Sequence, residues 1–181
     1  MIVIVEPPAP PVALADVKAF LRIGTGEEDA LLGALIGSAS EVCEAFTGRA
    51  LLPRDLLETL PASSAWTRFG AAPVRSIDGV ETTSAALPAD AYAIDIDAAG
   101  DGWVRVFGAG GARVVRVAYS AGLAAEAEGL PEAIRHGIVR LAAHLYAERD
   151  GEPGSGPPAA VTALWRPWRR MPFGYPRDRR I

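Results

Sequence analysis

One cysteine, one lysine and two histidines in 181 residues leave little material for several kinds of chemistry. A lone Cys43 can form neither an internal disulfide nor a thiolate metal cluster. His136 and His144 fall eight residues apart on one predicted helix, about 80° apart around its axis. That spacing does not make a chelating pair, and no acid or thiol stands at a matching position. Cys43 and a histidine would serve as nucleophile and base only if the thiol were accessible. Cys43 instead falls on the apolar face of a predicted helix, where an inert buried thiol is expected. Serine-elbow, Walker and metalloprotease motifs are lacking. Gly24-Thr25-Gly26 has neither the Gly-Lys-Ser/Thr ending nor the preceding strand of a phosphate loop. Asp95, Asp97, Gly100 and Asp101 echo a calcium loop, but Ala99 and Val106 stand where two ligands belong. A hairpin turn accounts for the same residues. The expectation is a protein that is not an enzyme, with no metal and no cofactor.

Long apolar runs are also missing. No stretch of eighteen uninterrupted apolar residues is found, so no membrane span is expected. Residues 1–5 are too short, and too soon followed by Glu6 and Pro7, for a signal peptide. A cytosol-like compartment is the expectation.

Half of the residues are apolar, enough for an ordinary core, and the net charge is −4. That average hides a split. Residues 166–181 carry +5, and the other 165 residues carry −9. A body so acidic is poorly suited to wrapping nucleic acid, which needs clustered cations. The basic end holds Arg166, Arg169, Arg170, Arg177, Arg179 and Arg180 among Trp168, Met171, Phe173 and Tyr175. Pro167, Pro172 and Pro176 exclude a long helix or a central strand there. The segment has too many rings for a merely solvating tail. It is expected to lie extended against another macromolecule.

Along the chain, residues 1–12 form an extended lead-in, with the stiff EPPAPP at 6–11. Leu14, Val17, Phe20 and Leu21 predict a helix over 13–22. Thr25 and Glu28 have the spacing of a capping box opening a second helix over 27–47, which Gly48 ends. Between 50 and 122, short alternating runs separated by Pro and Gly turns predict a meander of five or six antiparallel strands. Ile134, Ile138, Leu141 and Leu145 mark a long helix over 131–150, with Pro131 suited to its first turn. Residues 151–160 are expected to be a hinge, and 161–181 a basic, aromatic tail. The fold class is therefore α+β, with a helical pair, a central β-meander, a long C-terminal helix and an extended tail.

The order of these elements, and several local strings, resemble the head–tail connector (adaptor) proteins of tailed phages and phage-like gene transfer agents. The strings are Asp16-Val17-Lys18-Ala19-Phe20-Leu21-Arg22-Ile23, Glu28-Asp29-Ala30-Leu31-Leu32 and Ala45-Phe46-Thr47-Gly48-Arg49. Pro73-Val74, Leu87-Pro88-Ala89-Asp90-Ala91-Tyr92 and Val115-Arg116-Val117-Ala118-Tyr119-Ser120-Ala121-Gly122 follow. Leu130-Pro131-Glu132-Ala133-Ile134-Arg135 and Ala143-His144-Leu145-Tyr146 complete a resemblance covering about residues 14–151, the connector domain of 13–150.

The resemblance implies a structural protein that forms a ring, commonly of twelve subunits, beneath the portal. Such a ring extends the DNA channel, lets DNA pass without sequence-specific binding, and gives a stopper or tail component a place to dock. It implies assembly in the producing cell's cytoplasm and residence in the neck of a phage-like particle. Family C-terminal segments commonly reach the portal. On that ground, with the chemistry of rings and arginines, Arg166, Trp168, Arg169, Arg170, Phe173, Tyr175, Arg177, Arg179, Arg180 and Ile181 are the expected portal-binding residues. The competing expectation is a nucleic-acid-binding module, with Trp165, Trp168, Phe173 and Tyr175 stacking bases and the arginines on phosphate.

Overall fold

A computed structural model describes residues 1–5, 8–148 and 156–170. Among them the chain runs β1 (Ile2–Ile4), α1 (Leu14–Leu21), α2 (Asp29–Thr47), β2 (Arg54–Pro61), β3 (Thr67–Arg68), β4 (Val74–Glu81), β5 (Tyr92–Ile96), β6 (Gly102–Val106), β7 (Val114–Ala121), α3 (Glu132–Ala147) and α4 (Ala159–Trp165). The α+β class expected from the sequence is what the chain adopts. All strand pairs are antiparallel, and they divide between two sheets, ordered β1-β2-β7-β4 and β3-β6-β5.

The two ends of α2 differ in how far local chemistry decides them. Gly48 closes α2 in the left-handed region at φ 68°, its N–H donating to Glu44 O at 2.8 Å, a conformation glycine adopts without steric cost. The expected capping box at the other end does not form. Glu28 occupies the cap position without a side-chain cap bond, and its carboxylate accepts the Tyr146 hydroxyl at 2.6 Å. Lys18 pairs with Asp29 at 2.5 Å and ties α1 to the first turn of α2. Tertiary bonds here take the groups that a local cap would have used.

Two apolar cores result. The helical core gathers Val17, Leu32, Ile36, Cys43, Ile134 and Ile138, with Val161 and Trp165 from α4. The spacing of Leu32, Ile36, Ala39, Cys43 and Thr47 puts one buried stripe on α2. The other core lies between the sheets, where the Phe69 and Tyr119 rings stand 4.7 Å apart. Glu58 is buried in it at 6% exposure. Its carboxylate accepts the Tyr119 hydroxyl at 2.8 Å and the Gly70 N–H at 3.0 Å. Burial, and then the bond to Glu58, push the Tyr119 phenol well above its ordinary range.

The C-terminal part departs from expectation. The 161–181 segment was expected to stand apart as a tail, yet α4 packs on α3 and fills the helical core. Trp165 is wholly buried, and its indole N–H donates to Ile134 O at 3.3 Å. Gly137 makes the room: a Cβ there would lie 2.1 Å from the indole nitrogen. Of the hinge expected over 151–160, residues 159–160 already belong to α4, and 151–155 lie outside the described residues.

Candidate functional site

After α4, a 3-10 turn (Arg166–Trp168) leads the chain across the end of α2. Trp168 packs against the helical core, and its carbonyl accepts Arg49 Nε at 3.0 Å. The Arg169 guanidinium lies 5.6 Å from the centre of the Phe46 ring, which itself meets Trp165 at 6.0 Å. This arrangement is a cation–π contact on the half-buried Phe46, which rests in turn on buried Trp165. The Arg170 N–H donates to Thr47 O at 2.7 Å. That bond satisfies one of the carbonyls left over at the end of α2.

The Arg170 guanidinium ends on Asp101, with Nη2 at 2.5 Å from Oδ1. Asp101 is 8% exposed and also meets Arg68 at 3.4 Å. The Arg170 contact is a close charge pair without hydrogen-bond alignment. Beside it, Asp97 organises the β5–β6 turn. Its Oδ1 accepts the N–H groups of Ala99 and Asp101, each at 2.9 Å, and its Oδ2 accepts the Trp103 indole at 3.0 Å. These acids thus build a hairpin turn, in keeping with the sequence reading. Burial pulls the Asp97 pKa up, but those bonds and the nearby Arg170 hold it below its ordinary 3.8.

The sign of that shift sets a pH dependence. A carboxyl with a lowered folded pKa stabilises the fold above its unfolded value, and the contribution is lost as pH falls through the folded one. Asp97→Ala should therefore cost about 1–2 kcal/mol at pH 7, and less at pH 3, by denaturant titration at both. An equal cost at both would remove charge from the account. Arg170→Ala should cost about 1 kcal/mol and free the backbone at residues 166–170, seen as faster amide exchange there.

Of the residues expected to bind a partner, Trp168, Arg169 and Arg170 are thus engaged by the body of the protein. Arg166 is exposed and points to no described partner. Phe173, Tyr175, Arg177, Arg179, Arg180 and Ile181 lie outside the described residues. The anchoring groups Thr47, Arg49 and Asp101 were missed as members of this site. Their signal was present, since Thr47-Gly48-Arg49 ends α2 and Asp101 was weighed for calcium, but nothing in sequence joins them to Arg170.

Elsewhere the chemistry is sparse. Cys43 is wholly buried, and burial, then Glu44, push its thiol up to about 12. His136 meets Phe20 edge-on at 6.4 Å, and His144 pairs with Glu148 at 3.1 Å. Among the described residues no cluster of metal-ligating side chains is present. α2 is long and apolar enough by length and composition to cross a membrane. Its buried stripe nonetheless packs on α3.

Residues 11–73 match the family model of the phage gp6-like head–tail connector protein. This chain resembles the head–tail connectors in sequence and in fold. Three chains from solved particles share this fold end to end, each with 98% of this chain and 100% of the other covered. One, from the virion of a native gene transfer agent particle, is 25% identical with a TM-score of 0.74. One, from the neck of an empty particle computed with C6 symmetry, is 23% identical with a TM-score of 0.76. The third, from the neck of a native particle computed with C12 symmetry, is 22% identical with a TM-score of 0.69. No curated protein matches the sequence. The family match begins in the lead-in and runs through α1, α2, β2 and β3, ending just before β4.

Proposed function

We propose that this chain is a ring-forming head–tail connector subunit in the neck of a phage-like particle. The observation that carries the reading is the end-to-end likeness to a chain of the gene transfer agent virion, joined to the family match over residues 11–73. In this reading twelve copies close a ring beneath the portal, extend the DNA channel and offer a surface to the next tail component. Subunits are made in the cytoplasm and end in the particle. The −9 carried outside residues 166–181 suits a channel through which DNA slides, because a basic lumen would hold phosphate by counterion release.

Contact with the portal falls to Arg166 and to residues 171–181, with Phe173 and Tyr175 as ring anchors and Arg177, Arg179, Arg180 and Ile181 around them. Trp168, Arg169 and Arg170 act as the fixed base of that segment. The test compares residues 1–181 with residues 1–170, a cut that keeps every described contact. Each is used to retrieve partners from a lysate that produces particles, with and without nuclease. The full chain should retrieve portal and tail components, and the shortened chain should lose the portal. Retrieval of nucleic acid alone, abolished by nuclease and by raised salt, would overturn the connector reading in favour of a nucleic-acid-binding module.

A further inference from the structure

The side of α2 turned away from α3 is unusually apolar for a surface. Only 28% of its eighteen-residue apolar window is buried. Gly33 and Gly37 stand on that side, and a Cβ at either would meet nothing within 4 Å. This face and the lead-in at residues 8–11 wall a groove of about 770 Å³, with Ile36, Leu51 and Leu52 also lining it. Past Ile4, Glu44 and Arg54, which line both, it continues into a hollow of about 250 Å³ formed by Ile2, Gly48, Gly70 and Ala71. Ile2 and Ile4 of β1 remain 41% and 48% exposed along this wall.

The described chain stops at the mouth of that groove. Arg170 Cβ lies 3.5 Å from where a Cβ of Gly48 would be, and Gly48 lines the hollow. Residues 171–181 then begin. From Gly48 back to Gly33 the helix measures roughly 22 Å at 1.5 Å per residue. Eleven extended residues span roughly 36 Å, so the groove is within reach with chain to spare. The sequence also suits it in order. Met171, Phe173 and Tyr175 come first in sequence and would meet the apolar hollow first, while Pro172 and Pro176 remove donors that a dry groove would leave unpaired. Arg177, Arg179 and Arg180 come last in sequence, and the groove offers them the exposed carboxylate of Glu41.

We propose that in the free subunit residues 171–181 occupy this groove of their own chain, the rings running from the hollow along α2 past Ala45 to Gly37 and the arginines on the side of Glu41. The inference concerns the unassembled protein and stands apart from the portal reading. Docking on a partner then exchanges one apolar seat for another.

The test is disulfide trapping in the full-length chain. Two pairs are made, Gly37→Cys with Tyr175→Cys, and Ala45→Cys with Phe173→Cys; a control pairs Ser84→Cys, exposed on the β4–β5 loop, with Tyr175→Cys. Gly37 has open space, Ala45 is exposed, and buried Cys43 does not compete. Under mild oxidation at low protein concentration, at least one groove pair should close within the chain roughly tenfold faster than the control. That advantage should vanish in denaturant and fall in a Glu41→Arg background. Closure no faster than the control for both pairs overturns the proposal. Disulfides between chains also overturn it, and assign the groove to a second copy. Portal retrieval is read separately, so either result can fail while the other stands.

Discussion

Trp165→Ala is expected to lower the unfolding free energy by about 3–5 kcal/mol, the range for deleting a buried aromatic. The side chain is fully buried between α2 and α3, touches Phe46, and hydrogen-bonds to Ile134 O. Equilibrium denaturation would measure the loss. A cycle with Gly137 gives a sharper criterion. Gly137→Ala alone drives a methyl into the indole, 2.1 Å from its nitrogen, and should cost about 1–3 kcal/mol as overpacking. In the Trp165→Ala background that methyl meets a cavity, and alanine's helix preference, about 1 kcal/mol over glycine, should make the same change neutral or stabilising. A Gly137→Ala cost that is equal in both backgrounds would show that the two residues do not meet. The cycle therefore asks whether the chain from α4 onward belongs to the folding unit.

The second large effect is expected at Glu58. Glu58→Ala removes the acceptor for both the Tyr119 hydroxyl and the Gly70 N–H; the hydroxyl is left unpaired inside the sheet core, while Gly70 is exposed and can turn to water. At about 1–3 kcal/mol for one buried unsatisfied group, the loss should be about 2 kcal/mol. Tyr119→Phe alone should cost about 1 kcal/mol, because it leaves the carboxylate its bond from Gly70. Together the two changes should cost less than their sum, since the double variant no longer strands the hydroxyl. Strict additivity in urea titrations would mean that the pair contributes nothing through its shared bond.

The helices were legible because their signals are local. The spacing of Leu14, Val17 and Leu21, the left-handed glycine at 48 and the proline at 131 place α1, α2 and α3 within three residues of their ends. Strand alternation was legible too, but alternation names strands and not their neighbours. That β7 lies between β2 and β4 depends on pairings between distant residues, such as Leu56 with Tyr119. β1 sat inside the expected lead-in, because three apolar residues become a strand only where β2 offers an open edge. The fate of Trp165 depends on a notch at Gly137 that no local pattern reveals. Pro and Gly between 151 and 158 signalled an ending, although the chain returns to the core beyond them. The portal-binding set was drawn from residue type alone, and type does not distinguish an arginine held by Asp101 from one left for a partner.

Fixing the chain at Arg170 sets a limit on everything that follows. From residue 166 the last residue could lie no more than roughly 50 Å away, whereas from Arg170 the limit is roughly 36 Å. That smaller sphere is centred on the Thr47–Gly48 corner. In the proposed ring, any contact made by the C-terminus would fall inside it, close to the subunit that carries it.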